Sequence, residues 1–366
     1  MSRLVTVVNI ESLSYSGTTW INLLLGCHPR AMALGPPNRV VDLFYEGSSD
    51  GHDACRVHAE QCTFWPRFFA QADRSRNFFV QVAELCERDI IVINNAFGGG
   101  RAAAELRHPD IMVKRVGVVR DGRAILASYG KYHPESDFLD TITQWFCPFA
   151  ASVPYERANP DVLSVRYEDV VCDQRGFIDK AGRFIGIEYP QDFVRFWAFP
   201  HHLIGCNPGP LALIQRHLGV AFRGVNREEQ EQRYQRLLRD PHDVRVDERW
   251  KEELGIRDRL VFDFFAGGYN EAWGYERDRF TLSEIRRFQA DFTAAASART
   301  RDGAPGTPDA RELASFAASL APFNARTPTG IRGSVHLSRR TVLILVFAFV
   351  LLYLASIGVT ILLAAP

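Results

Sequence analysis

The chain has 366 residues, with 43 Lys plus Arg balanced by 43 Asp plus Glu, and 46% of it is hydrophobic. That length suits one large or two ordinary domains with a sizeable core. The formal charge of zero excludes a globally basic nucleic-acid binder, so any anion site must be local.

Leu4 to Leu13 is apolar and β-branched and predicts a buried first strand. A short hydroxyl-rich loop and an apolar helix to about Leu25 follow, and Cys27-His28-Pro29 ends that helix. Gly35 to His58, rich in Gly, Pro and Asp, reads as loop. Phe64 to Phe69 and Phe78 to Leu85 carry apolar residues at helical spacing, as packing helices do. Asp89 to Asn94, Met112 to Val119 and Val162 to Tyr167 are short apolar runs of the kind found in central parallel strands. Strands alternating with helices predict an α/β fold, a P-loop-like parallel sheet with helices on both faces. Ligands of such sheets lie at the carboxyl ends of the strands, where Ser16, Asn94 and Arg120 fall.

Three regions are expected: an α/β domain over 1–276, a flexible spacer over 277–340 with a short helix from Ala310 to Leu320, and a transmembrane helix over 341–364. Thr341 to Pro366 carries no charged residue. As a helix it would span about 39 Å, enough for a hydrocarbon core of about 30 Å. Arg332, His336, Arg339 and Arg340 precede it, so the positive-inside rule places the rest of the chain in the cytoplasm, tail-anchored to the membrane. The apolar run Met1 to Ile10 is too short for a signal peptide. Cys27, Cys55, Cys62, Cys86, Cys147, Cys172 and Cys206 form no C-x-x-C pair, and their number is odd. Reduced thiols in a cytosolic setting are expected, and no cysteine–histidine metal site.

Ser14 to Trp20 reads S-Y-S-G-T-T-W at a strand–loop–helix junction. Helix N-termini present unpaired N–H groups and a positive dipole end, which suits phosphate. With one glycine and no lysine the loop is not a Walker A sequence. Val118 to Tyr129 reads V-V-R-D-G-R-A-I-L-A-S-Y, with Arg120 closing an apolar run and Ser128 on the following helix.

The two segments together resemble the sulfotransferase family that uses PAPS, 3′-phosphoadenosine 5′-phosphosulfate. V-R-Y-E-D-V at Val165–Val170, H-L-I-G-C-N-P at His202–Pro208, Asp247 to Trp250 and Gly274-Tyr275 are similar to further family elements, so the resemblance covers about residues 4 to 276. It implies that Ser16, Gly17, Thr18 and Thr19 cradle the 5′-phosphosulfate and that Arg120 and Ser128 hold the 3′-phosphate. Trp20 either stacks on adenine or packs in the core. Arg123 either closes on the cofactor or caps its own helix. Tyr167 either touches adenine or is structural.

The implied reaction is in-line transfer of a sulfuryl group to a hydroxyl or amine acceptor, with PAPS as donor and no metal. The chain departs from the family where lysine or arginine usually precedes S-G-T-T: it has Tyr15. The basic D-S-S-K element of tyrosine-bearing members reads Asn94-Asn95-Ala96-Phe97. Arg101, or less favourably Lys114 or Arg115, can substitute. His133 is the candidate base on general-base logic. The alternative reading is a degenerate protein that binds PAP or PAPS without transfer. The partners expected are PAPS, an unidentified acceptor and a membrane, with no nucleic acid.

Overall fold

The computed structural model describes residues 4–47, 55–58, 61–94, 100–153, 155, 160–205, 207–220, 227–288 and 290. The chain divides into two units, Met1–Ile285 and Arg286–Pro366. The first holds β1 (Val5–Glu11), α1 (Thr18–Leu25), β2 (Ala31–Gly35), α2 (Asn38–Glu46), α3 (Phe64–Gln71), α4 (Phe78–Cys86), β3 (Ile90–Asn94), α5 (Arg101–Glu105), β4 (Ile111–Val119), α6 (Gly122–Tyr132) and β5 (Val162–Arg166). Further helices follow, among them Tyr167–Cys172, Gln174–Ile185 and Pro208–His217.

The five strands are parallel, in the order β2-β3-β1-β4-β5. Val8 of central β1 is in register with Val92 of β3 on one side and Lys114 of β4 on the other. All of β1 is buried, as a strand paired on both edges and covered on both faces must be. Every residue of α1 is also buried, which accounts for its apolar circumference. It lies between the sheet and the helix Gln174–Ile185.

This strand order fixes where a ligand can enter. The chain leaves β1 toward β2, whereas it leaves β4 toward β5, in the opposite direction along the sheet. By the right-handed crossover rule, α1 and α6 therefore take opposite faces. Their diverging starts open a crevice between the carboxyl ends of β1 and β4. The loop before α1 and Arg120, one residue past β4, border that crevice.

Four expected strands are present, with ends shifted by a residue or two at most positions. Two further elements were not expected, the first just before the Gly35–His58 loop reading and the second within it. Ala31–Gly35 is an edge strand paired with β3, and Asn38–Glu46 is a helix that buries Val40, Val41 and Phe44. The compact unit also continues past position 276. Arg277 pairs with Asp263, and Asp278 is buried between Arg123 and Arg259. The expected helix 310–320 and transmembrane segment 341–364 lie outside the described residues. Among the described residues no helix is long and apolar enough to cross a membrane.

Candidate active site

Tyr15 and Gly17 both have left-handed backbone, with φ of 66° and 77°. Two such residues in a short loop turn the chain sharply from β1 into α1. Gly17 is the N-cap of α1, and no side chain caps it. The ring of Tyr167 rests on the Gly17 Cα, so a Cβ there would strike Cε2 and Cδ2 of that ring. Glycine is required twice over, by its φ and by this close approach. Trp20 is buried edge-on to Tyr167, with ring centroids 6.0 Å apart.

Arg120 joins the two loops. Its Nη1 donates to the Tyr15 carbonyl at 2.7 Å, and its guanidinium lies 4.9 Å from the Tyr167 ring centroid. Nη2 reaches Asp247 Oδ2 at 3.3 Å. Asp247 is held well below the usual carboxylate range, first by its hydrogen bonds from Arg249 and then by charge from Arg249 and Arg120. Arg120 is only 6% exposed, yet its Nε has no hydrogen-bond partner among the described residues. Ser16 is 0% exposed, and its Oγ is likewise unpartnered. Buried polar atoms are nearly always satisfied, so two orphans on facing loops mark a place built for a polar ligand. One orphan is a guanidinium N–H and the other a hydroxyl beside an uncapped helix start, a donor set that fits a phosphorylated anion.

Tyr15 also faces outward. Its hydroxyl is hydrogen-bonded to His133 Nε2 at 3.1 Å. It packs among Tyr129, Tyr132 and Trp145, with centroids 5.8, 5.7 and 6.4 Å away. Burial raises the Tyr15 phenol above its ordinary range, so at neutral pH it is an uncharged donor. The aromatic group was not anticipated from sequence, although Tyr129, Tyr132 and His133 share the end of α6.

The remaining predicted residues are placed differently. Ser128 is half-buried on α6, and among the described residues no hydrogen bond joins it to Arg120. Arg123 is committed to its surroundings: Nε and Nη2 donate to Asp121, Nη1 to Asp278 and Nη2 also to the Glu276 carbonyl. Its guanidinium lies 4.1 Å from the Trp250 ring centroid. Asp121, which caps α6 by accepting from the Arg123 N–H, also accepts from Asn270 Nδ2. Arg123 is therefore a strut under the 120–122 turn. Glu168 supports the same turn by accepting from the Asp121 N–H and from the Tyr275 hydroxyl. Arg120 pairs with Asp247 rather than with its neighbour Asp121. Thus the Asp247–Trp250 and Gly274-Tyr275 segments, remote in sequence, sit against the second loop. Asn207, in the His202–Pro208 element, donates its N–H to Thr19 Oγ1 at 3.3 Å.

Arg101 starts α5 and is 51% exposed at its side chain, 3.6 Å from Asp42 and 3.7 Å from Glu46. Lys114 lies over Phe184, and Arg115 makes a two-pronged pair with Glu11. Asn94 accepts a hydrogen bond from Asn22, and Asn95 to Phe97 lie outside the described residues. The expectation that cysteine and histidine show no ligand spacing is corrected. Cys55, His58, Cys62 and His202 bring their ligand atoms within 4.8 Å of one another. The signal was the C-x-x-H-x-x-x-C run, hidden because its fourth member comes from far downstream.

No family model matches the chain, and no curated protein does. Among solved structures, the sulfotransferase domain from the Synechococcus PCC 7002 olefin synthase gives a TM-score of 0.43 at 15% identity, over 68% of this chain and 98% of that one. The sulfotransferase domain from the curacin biosynthetic pathway gives 0.37 at 12% identity, over 65% and 99%. Retinol dehydratase in complex with retinol and PAP gives 0.33 at 14% identity, over 76% and 84%. At these scores the likeness is descriptive, and the functional reading rests on the residues of this chain.

Proposed function

We propose that the protein is a PAPS-dependent sulfotransferase acting on a hydroxyl or amine acceptor at the cytoplasmic face of a membrane. The observation that carries this reading is the paired orphans, Arg120 Nε and Ser16 Oγ, on the two loops that the strand order brings to one crevice. When bound, PAPS would supply an activated sulfuryl group on a phosphate leaving group. Ser16, Gly17, Thr18 and Thr19 would hold the 5′-phosphosulfate through hydroxyls and the first N–H groups of α1. Arg120, with Ser128, would take the 3′-phosphate. Tyr167, whose ring lies over Gly17, would offer aromatic surface to adenine, with Trp20 packed in the core beside it. Arg123 supports the turn that presents Arg120.

Tyr15 stands where a cation is usual and donates without charge. His133, hydrogen-bonded to it, would serve as the base that removes the acceptor proton. Arg101 makes two long, exposed ion pairs, each worth about 0–1 kcal/mol, and lies over the Tyr45 ring. In this reading Arg101 would exchange those contacts to serve as the cation that stabilises charge on the leaving oxygen. The tail over 341–364, uncharged and preceded by Arg339 and Arg340, supports a single-pass anchor.

The missing basic residues at Tyr15 and Phe97 favour a second reading, a PAP- or PAPS-binding protein without transfer. Full-length protein in detergent, incubated with radiolabelled PAPS and a panel of lipid and small-molecule acceptors, separates the two. Label transfer with release of PAP supports the enzyme. Saturable PAP binding with no transfer supports the second reading, and absence of PAP binding rejects both.

A further inference from the structure

We infer that Cys55, His58, Cys62 and His202 form a structural zinc site that staples two remote segments together. The cluster contains two sulfurs and two imidazoles, the ligand set of a closed tetrahedral zinc site. With Zn–S of about 2.3 Å and Zn–N of about 2.0–2.1 Å, neighbouring ligand atoms of a tetrahedron lie roughly 3.3–3.8 Å apart. Cys55 Sγ is 3.4 Å from His58 Nδ1, and Cys62 Sγ is 3.6 Å from His202 Nδ1. All four ligand atoms fall within 4.8 Å of one another, so a small contraction completes the geometry.

Each sulfur has a polar neighbour in a histidine ring or beside one. The His58 N–H points at Cys55 Sγ at 3.4 Å. Cys62 Sγ is within 3.6 Å of His202 Nδ1. Both cysteines are buried, and the two imidazoles are half-buried with ring centroids 4.9 Å apart. Phe64 stacks on His202, and Trp65 Nε1 donates to the His202 carbonyl at 3.1 Å, which orients that histidine. Binding Zn²⁺ releases one proton from each of two thiols and leaves a neutral Zn(Cys)₂(His)₂ unit. A neutral unit with four protein ligands suits a half-buried structural role and leaves no open position for catalysis.

The staple has a defined reach. Cys55, His58 and Cys62 lie between α2 and α3, whereas His202 follows β5. From His202 the chain runs along the end of β2, where the Ile204 N–H bonds to the Leu34 carbonyl at 2.9 Å, and on to Asn207 against Thr19. The metal would thus brace the segment touching the first turn of α1; that consequence, unlike the site itself, rests on the reading of the 15–19 loop as a cofactor cradle.

The test uses the full chain purified under reducing conditions. Elemental analysis should find one zinc per chain, released when a mercurial caps the thiols. Co(II) exchanged into the chain should show tetrahedral d–d bands with thiolate charge transfer. C62S should lose the metal, whereas C172S, at an exposed cysteine, should keep it. Because C62S can fail to fold, X-ray absorption at the zinc edge of the unmutated chain decides independently, and two sulfur and two nitrogen ligands are required. Metal-free protein that takes up no zinc, a Cys55–Cys62 disulfide in the unreduced chain, or a shell of nitrogen and oxygen alone overturns the proposal. PAP binding is measured separately, so zinc-loaded protein that ignores PAP would reject the transferase reading and leave the metal site standing.

Discussion

Replacing Arg120 by lysine keeps the charge and removes the planar fork. In the folded chain Arg120 uses one Nη1 hydrogen on Tyr15 and one Nη2 hydrogen on Asp247, leaving Nε buried and unpartnered. Asp247 keeps its two-pronged pair with Arg249 at 2.7 and 2.9 Å, so the substitution does not strand that carboxylate. The principal loss is therefore the hydrogen bond made to ligand. A hydrogen bond to a charged group contributes about 1.5–3 kcal/mol, or roughly 10- to 150-fold in affinity. The assay is calorimetric titration of wild type and R120K with PAP and with 5′-AMP, which lacks the 3′-phosphate. PAP affinity should fall by roughly 10- to 150-fold while AMP affinity stays within about threefold. This two-by-two comparison isolates the pairing of side chain with 3′-phosphate. An equal fall for both nucleotides would mean that the substitution merely loosens the 15–19 loop. Unchanged PAP affinity would remove Arg120 from the site altogether.

Gly17→Ala should destabilise the chain, because left-handed backbone costs a residue with a Cβ about 1–2 kcal/mol and displacing the Tyr167 ring about 1–3 kcal/mol more. Urea unfolding should show a lower midpoint with an unchanged slope, and adding Tyr167→Ala should recover the steric part alone. His133→Ala should lower kcat by about 10²-fold or more with PAP affinity unchanged, partly restored by added imidazole; equal loss of binding would point to a packing role. Asp247 has a folded-state pKa depressed below its unfolded value, so its contribution is fully present above the ordinary aspartate range and is lost as pH falls from there toward the folded value. Asp247→Asn should therefore flatten the acid limb of the stability curve, read by denaturant unfolding at successive pH values. Truncation before Arg339 should move the protein from the membrane to the soluble fraction, and continued membrane association would sink the anchor assignment.

The strands that sequence revealed were those buried on both faces, since such strands must be apolar throughout. β2 was hidden because Ala31-Met32-Ala33-Leu34-Gly35 has no β-branched residue and no alternation; pairing with β3 makes it a strand. α2 was obscured by Pro36-Pro37 before it and Gly47 after it, although Val40, Val41 and Phe44 show one buried face. At the site, the 15–19 loop and Arg120 were legible because each follows the end of an apolar strand. Arg123 was ambiguous because its partners Asp278 and Glu276 come from the far end of the unit.

Local pattern alone thus determined the strand–loop–helix junction, the arginine past β4 and the uncharged tail, because each depends on neighbours along the chain. Tertiary structure alone decided that β1 and β4 lie side by side and that their loops meet, since strand order is a property of long-range pairing. It likewise decided which arginines are already neutralised, and it drew His202 into a turn carrying two cysteines and a histidine. Charge, burial and ligation are settled by what surrounds a side chain, and those surroundings are assembled from distant parts of the sequence.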